Sequence, residues 1–538
     1  MRHRVFAFTV ALLATMSLTV VAQENISALL PMPRSIQPID SKPFNLHKVG
    51  RIECLMSDSL FILQELKSII DNRTGIELPA KGSSTIIIKE DTAAAPESYT
   101  IEATRKSLRI EGSRSGIYYA LKTLDQLLLG DNRNSADGKI AAVRIEDAPR
   151  YPHRAVMLDP ARHFLPVEDV KFFIDQMAKY KYNKLQLHLT DDQGWRIEIK
   201  SHPALTKIGA NRNPKGGSNG PDNGYYTQEQ LKELVCYAAA RNVEIIPELD
   251  IPGHSVAILA AYPHLGCSFR HGEEKSVGRT TNMMLCAACD EAYDVYRDII
   301  AEVAQIFPST QIHLGGDEAA VKENWALCDD CKALMEKMGY DKPSQLMNIF
   351  FGRMLEIVRN NGKEAILWCE LDNMWPPAND YLFPYPQGVT LVTWRNALTP
   401  KCIELTRKYG HKLIMAPGEH TYLDYPQWRN DLPEYNNWGM PITTLEQAYK
   451  LDPGYNLPAR EQQHIQGVMA TMWAEAIKDI NRVNYMFFPR GLAIAEAGWS
   501  SMSSRSWEGF KERMMPNLDD LMRSGVSFRV PFEIMPRR

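Results

Sequence analysis

The chain has 538 residues, 44% of them hydrophobic and 23% charged, with a formal net charge of −4. That length exceeds one ordinary core, so two domains are expected, one of them large. The near-balanced charge and the lack of a long basic run exclude nucleic acid and an anionic membrane surface as natural partners.

The chain opens with Arg2, His3 and Arg4, then an apolar run from Val5 to about Ala22, then Gln23-Glu24-Asn25. A short basic region, an apolar region and a small residue before polar sequence describe a secretory signal over residues 1–22. An uncleaved anchor is the alternative, because the run is close to spanning length. No cysteine lies near Ala22, which argues against a lipid anchor, and no later segment is long and apolar enough to span a membrane. Export to the periplasm or the exterior is expected.

Residues 23–148 have the pattern of a small α+β domain. Strands are expected at 84–88, 98–101 and 107–110, followed by an amphipathic helix from Gly116. The stretch 131–138 is polar and suits a loop. From residue 149 to 538 the pattern changes. Short β-rich runs occur at 155–158, 184–189, 243–249, 311–314, 365–368, 389–394, 412–415 and 466–472. Helical stretches at 167–180, 227–241, 291–306, 344–360 and 399–409 separate most of them. Eight strands alternating with helices predict a (β/α)8 TIM barrel, with a doubly wound open sheet as the alternative. The proline-rich connection 372–387 reads as loop. The chain ends soon after the last barrel helix, so no appended module is expected.

Function in such barrels sits at the C-terminal ends of the strands. Asp159 and Arg162-His163 follow the first strand, and Thr190, Asp191 and Asp192 the second. The third runs into Pro247-Glu248-Leu249-Asp250 and on to His254, the fourth into Gly315-Gly316-Asp317-Glu318. Trp368-Cys369-Glu370, Trp394-Arg395, Tyr422 with Asp424, and Trp473-Ala474-Glu475 follow the remaining four. Adjacent acids such as Asp317-Glu318 also serve at helix starts for structural reasons alone. Their place on one rim with so many other polar residues favours chemistry.

Nine cysteines allow disulfides in an exported protein. Cys286/Cys289 and Cys328/Cys331 each have C-x-x-C spacing, which raises a four-thiolate zinc site. The long gap between the pairs does not match the usual knuckle spacing. Bridges from Cys267 to Cys286 and from Cys328 to Cys331 are expected instead.

The motifs Leu158-Asp159-Pro160-Ala161-Arg162-His163, His188-Leu189-Thr190-Asp191-Asp192-Gln193-Gly194-Trp195, Pro247-Glu248-Leu249-Asp250-Ile251-Pro252-Gly253-His254, His313-Leu314-Gly315-Gly316-Asp317-Glu318 and Thr471-Met472-Trp473-Ala474-Glu475 resemble glycoside hydrolase family 20. The resemblance spans residues 151 to about 500, and residues 23–148 resemble the small domain that precedes the barrel in that family. It implies an exo-acting β-N-acetylhexosaminidase that uses the substrate's own 2-acetamido oxygen as nucleophile. Glu318 is then the acid and base, Asp317 the group that orients the acetamido N–H, and Tyr422 the phenol on the acetamido oxygen. Arg162, Asp424 and Glu475 are implied to hold sugar hydroxyls, Trp368, Trp394 and Trp473 to wall the ring and acetamido methyl, and Asp191 with His254 to tune the acid. His163 and His313 are taken as structural. Cys369 stands where many relatives have an acid, which touches only local contacts.

The expected partner is a glycan with a terminal N-acetylhexosamine, and no metal or organic cofactor is expected. Other readings are a sugar-binding protein without turnover, a barrel hydrolase that releases disaccharides or cuts inside a chain, and a metal-dependent amidohydrolase. The last needs a histidine-rich ligand set that the strand ends lack, with only His188 and His254 nearby.

Overall fold

The computed structural model describes residues 27–57, 59–129, 137–212, 222–278, 281–370, 385–395, 398–429, 431 and 439–534. The expected signal segment, most of the loop 131–138 and most of the proline-rich connection 372–387 lie outside these residues. Among the described residues no helix is long and apolar enough to cross a membrane. The chain divides into two compact units, each with its own core.

The smaller unit holds residues up to Pro152, Ala178–Lys181 and the chain from Phe488 on. Its strands are β1 (Ser35–Pro38), β2 (Val49–Leu55), β3 (Ser84–Glu90), β4 (Tyr99–Ala103), β5 (Ser107–Gly112) and β6 (Val143–Asp147). They form one sheet in the order β1-β6-β4-β5-β3-β2, antiparallel from β1 to β5 and parallel from β5 to β2. Alternation puts Ile86, Ile88, Tyr99, Ile101, Leu108 and Ile110 inward, as period 2 requires. Helices α1 (Leu60–Thr74) and α2 (Arg114–Leu129) pack on each other, and α2 lies on β4 and β5. Gly75, left-handed at φ 66°, closes α1. The last long helix of the chain (Trp507–Arg523) belongs to this unit, and its Asp520 pairs with Arg73 and Lys179.

The larger unit is a closed barrel of eight parallel strands. In chain order these are β7 (His153–Leu158), β8 (Lys184–His188), β9 (Glu244–Glu248), β10 (Gln311–His313), β11 (Glu364–Trp368), β12 (Val389–Thr393), β13 (Lys412–Met415) and β14 (Ile465–Met472). Closure follows from β7, which pairs with β8 on one side and β14 on the other. The open-sheet alternative is therefore set aside. The strands carry few solvent-facing positions because helices cover the outside and side chains fill the inside. Ala155, Met157, Ile246, Ile366, Trp368, Val392, Ile414 and Met469 form the interior apolar layer. The covering helices include α3 (Val167–Lys179), α4 (Gln228–Ala239), α5 (Val256–Ala261), α6 (Asp290–Ile306), α7 (Asp329–Met338), α8 (Leu346–Asn360) and α9 (Thr399–Tyr409). Helix α4 starts in a capping box: Thr227 Oγ1 accepts from the Gln230 N–H, and Gln230 Oε1 accepts from the Thr227 N–H.

Neither expected disulfide forms, and all nine cysteines are free. The loops after β9 and β10 instead bring Cys267, Cys286, Cys328 and Cys331 to one buried cluster, with ligand atoms within 4.8 Å of one another. Cys289, the nearer partner in sequence, stays out of it, 3.7 Å from the His264 carbonyl oxygen.

Candidate active site

Strand β10 is short because the chain turns sharply after His313. Gly315 and Gly316 are left-handed at φ 65° and 103°, and Glu318 is left-handed at φ 47°. A Cβ at position 315 would stand 1.6 Å from Asp250 Oδ1. The Gly316 N–H donates to that same oxygen at 3.2 Å. The turn thus locks onto the end of the neighbouring strand β9. It directs the two adjacent acids differently: Asp317 is 7% exposed, whereas the Glu318 side chain is 53% exposed.

His254 Nε2 stands 3.7 Å from an oxygen of each acid. Its Nδ1 is 3.2 Å from Asp191 Oδ1. Asp191 Oδ2 in turn meets Arg162 Nη2 at 2.8 Å and His188 Nε2 at 2.7 Å. Five of the expected residues therefore form one chain of alternating charge: Arg162, Asp191, His254 and the acid pair.

The electrostatics follow from that alternation. Burial disfavours a charged Asp191, but Arg162, His254 and His188 outweigh it and hold the carboxyl well below its usual range. Burial likewise disfavours an imidazolium at His254. The surrounding Asp191, Asp250 and Asp317 outweigh that and push its pKa well up. Asp317 is raised by burial, with Glu318 and Glu248 adding to the rise and His254 opposing it. Burial and the nearby Asp317 push Asp250 well up.

Arg162 is 6% exposed and held on three sides. Asp159 Oδ2 meets its Nη1 at 3.0 Å, Gln193 Oε1 accepts from Nε at 3.1 Å, and its guanidinium lies 5.0 Å from the Trp473 ring centroid. Glu475 Oε1 is 4.0 Å from its Nη2, so a cation and an acid share one side of the cleft. Asp159 Oδ2 also accepts from the Ala474 N–H at 2.9 Å, which ties the ends of β7 and β14.

The aromatic residues make a continuous wall. Trp368 and Trp473 have ring centroids 5.6 Å apart, and Tyr422 and Trp473 6.4 Å apart. Trp394 and Trp473 border both the interior layer and the cluster of Tyr422, Tyr425 and Met440. Tyr422 is tied to β14 by a backbone bridge to Thr471. Asp424 is buried beside Tyr422 and Tyr425, raising the pKa of both phenols behind the larger effect of burial. His163 Nδ1 is bonded to the Ala474 carbonyl and the His313 ring packs at a tilt against Trp368, centroids 4.8 Å apart, so both serve the scaffold.

Sequence reasoning missed two features. Glu248 is fully buried beneath the rim and receives Gln186 Nε2 at 2.8 Å and Trp368 Nε1 at 2.9 Å, with His188 Nδ1 2.9 Å away. It thereby fixes the plane of one wall of the cleft. Glu370 receives Arg395 Nε at 3.1 Å and Nη2 at 3.2 Å, and accepts from the Glu318 N–H at 3.3 Å. Burial pushes Glu370 up to about 7 despite Arg395. Both acids were visible at strand ends, but pattern alone assigns no partner to an acid.

Asp317 Oδ1, His254 Nε2 and Trp394 Nε1 are buried without a hydrogen-bond partner among the described residues. Buried polar atoms are rarely left so, and these three line the same cleft. The arrangement offers an acid reachable from solvent, a second acid fixed behind it, a forked cation and flat apolar walls. His254, Asp317 and Glu318 also bring ligand atoms within 4.8 Å of one another.

Comparison with known proteins agrees with this geometry. Residues 151–502 match the model of the glycosyl hydrolase family 20 catalytic domain, and residues 27–148 match domain 2 of the same family. A β-hexosaminidase of Akkermansia muciniphila is 38% identical over 453 residues, covering 83% of this chain and 89% of the relative. One of Porphyromonas gingivalis is 32% identical, covering 94% of this chain and 65% of the relative. The structure of a GH20 exo β-N-acetylglucosaminidase of Vibrio harveyi with N-acetylglucosamine superposes with a TM-score of 0.80 at 29% identity, covering 94% of this chain and 79% of that one. By sequence match, barrel and rim together, the chain belongs to glycosyl hydrolase family 20.

Proposed function

We propose that this chain is an exo-acting β-N-acetylhexosaminidase. It removes terminal β-linked N-acetylglucosamine or N-acetylgalactosamine with retention of configuration. The observation that carries the reading is the acid pair: Glu318 open to the cleft, Asp317 buried beside it, both facing His254.

Two neighbouring acids on one side of a cleft do not flank a glycosidic bond as acid and nucleophile. The substrate's 2-acetamido oxygen attacks the anomeric carbon instead, and the bond to the leaving oxygen breaks. Glu318 donates a proton to that oxygen, then takes one from the water that opens the oxazolinium intermediate. Asp317 accepts from the acetamido N–H and offsets the positive charge that develops, an effect strengthened by burial. Tyr422 donates to the acetamido oxygen and aligns it. Arg162, Asp424 and Glu475 hold the ring hydroxyls, and Trp368, Trp394 and Trp473 enclose the ring and its methyl. His254, held by Asp191, steadies the charge of the acid pair.

Release of 4-nitrophenol from its β-N-acetylglucosaminide tests the reading, with the wild type compared with Glu318→Gln and Asp317→Asn. Turnover by the wild type and its collapse in both variants supports it. A folded wild type that binds N-acetylglucosamine without turnover rejects it in favour of a lectin-like role.

The basic and apolar N-terminal segment supports export, with a terminal glycan outside the cytoplasm as substrate. Terminal sequencing of the mature protein checks this: a chain beginning near Gln23 agrees, and a cytoplasmic chain that keeps residues 1–22 does not.

A further inference from the structure

We propose that Cys267, Cys286, Cys328 and Cys331 bind one structural Zn2+ ion that ties the loop after β9 to the loop after β10. All four cysteines are buried, and their sulfur atoms lie within 4.8 Å of one another. Cys286 Sγ is 3.9 Å from Cys328 Sγ and 3.5 Å from Cys331 Sγ. A tetrahedron with metal–sulfur bonds of about 2.3 Å has edges of about 3.8 Å, so these spacings are those of thiolates around a common centre. They are far from the about 2.05 Å of a disulfide.

The local backbone supports the same reading. Cys328 caps α7 and Cys331 sits in its first turn, where free N–H groups favour thiolates. On the other loop, Gly266 and Leu285 form a backbone bridge that sets Cys267 and Cys286 side by side. Tyr293 is near enough for Cys286 and Cys331 to act on its phenol, and Leu285, next to Cys286, is buried like the cluster itself. No carboxylate or histidine belongs to it, and four sulfur ligands with no open position describe a structural site.

This departs from the metal-free expectation, which rested on spacing. The spacing argument fails because it pairs Cys286 with Cys289, whereas the fold substitutes Cys267. Binding is a simple exchange: four thiols release four protons and four thiolates bind one Zn2+, with no change of oxidation state. Two disulfides would instead require removal of four electrons by an external oxidant.

The site has a stated task. The first loop carries His254 and the second carries Asp317-Glu318. Beyond the acid turn, side-chain hydrogen bonds join them: Trp325 Nε1 to the Leu285 carbonyl at 2.9 Å, Asn324 Nδ2 to the Asn282 carbonyl at 2.8 Å, Arg270 Nη1 to Asn324 Oδ1 at 3.0 Å, Asn282 Nδ2 to Glu323 Oε2 at 2.8 Å and Ser268 Oγ to Asp330 Oδ2 at 3.0 Å. A tetrathiolate joins the loops at a single closed centre on the same side.

The test is metal analysis of the full mature chain purified without chelator. About one zinc per chain is expected. Zinc falls below a tenth of that in Cys328→Ser/Cys331→Ser and stays near one in Cys289→Ser. Because the double variant may be lost to misfolding, wild type grown with Co2+ provides a second readout. It should show the visible bands and near-ultraviolet thiolate charge transfer of tetrahedral cobalt tetrathiolate. Loss of the metal from the wild type should lower Tm by more than about 5 °C. Four cysteines that resist alkylation in denaturant until reductant is added would overturn the proposal in favour of two disulfides. Zinc retained by a folded double variant would overturn the site, and iron in place of zinc would overturn the metal. Metal-free chains with nine reactive thiols would overturn both.

Discussion

Asp147 in the small unit and Asp317 at the barrel rim are 4% and 7% exposed, yet the fold serves them differently. Asp147 accepts from the Tyr99 hydroxyl at 2.6 Å, the Trp499 indole at 3.0 Å, Lys181 Nζ at 3.0 Å and the Arg34 N–H at 3.1 Å. Asp317 has one oxygen without a hydrogen-bond partner among the described residues, and its nearest cation stands 3.7 Å away. Both are buried charges, which are costly unless paired. The first network is complete and holds a unit together. The second is left incomplete around a cleft, which is where a ligand supplies the missing contacts. Burial of an acid thus says little about its role, and the state of its partners says much.

The largest effect expected on either side of this contrast belongs to Glu318. Glu318→Gln should lower kcat by about 10³–10⁴ on substrates with a poor leaving group, with unchanged Tm. Steady-state kinetics and calorimetry on one sample decide this, and a fall in Tm with kcat intact would reverse the contrast. Asp147→Ala should do the opposite. It removes the carboxylate that Lys181 Nζ meets at 3.0 Å, leaving the buried ammonium without that anion, so unfolding free energy should drop by about 3–5 kcal/mol in a urea titration while kcat per folded chain stays unchanged.

Asp317→Asn should lower kcat by about 10²–10³, since an amide cannot offset the oxazolinium charge, and should leave stability equal or raised. A marked loss of stability would show that Asp317 belongs with Asp147 after all. Tyr422→Phe should cost about tenfold in kcat/KM, one hydrogen bond's worth.

The smallest effect is a pH dependence. Burial raises the Glu370 carboxyl to about 7, so its contribution to stability is full below about 4.5 and is lost as pH rises to about 7. Glu370→Gln should therefore lose less Tm than wild type between pH 5 and 7, and the two curves should run parallel above 8. Parallel curves throughout would place Glu370 among fully satisfied acids.

Much of this was legible in the sequence. The eight barrel strands stand out because each is a short β-rich run and helices separate most of them, and residues at their ends share one rim by topology alone. The small unit was read less completely. Its strand Val49–Leu55 is mostly half-buried or exposed and carries Arg51 and Glu53, so it lacks the apolar alternation that marks Ser84–Glu90. The hydrogen bonds of Glu248 and Glu370 join residues on different strands, and no local pattern reports them. The cysteine cluster was missed for the same reason: sequence spacing measures distance along loops, and these loops fold back.

Gly315 and Gly410 have similar positive φ, 65° and 75°, and will not tolerate change alike. Around Gly410 nothing lies within 4 Å of an added Cβ, so asparagine, which enters the left-handed region readily, should be accepted there. At Gly315 the Asp250 carboxylate already occupies the space that any side chain needs. In a saturation library, position 315 should admit glycine alone among folded, active clones. The turn that presents the acid pair is then mutationally frozen by a contact that takes no part in the chemistry.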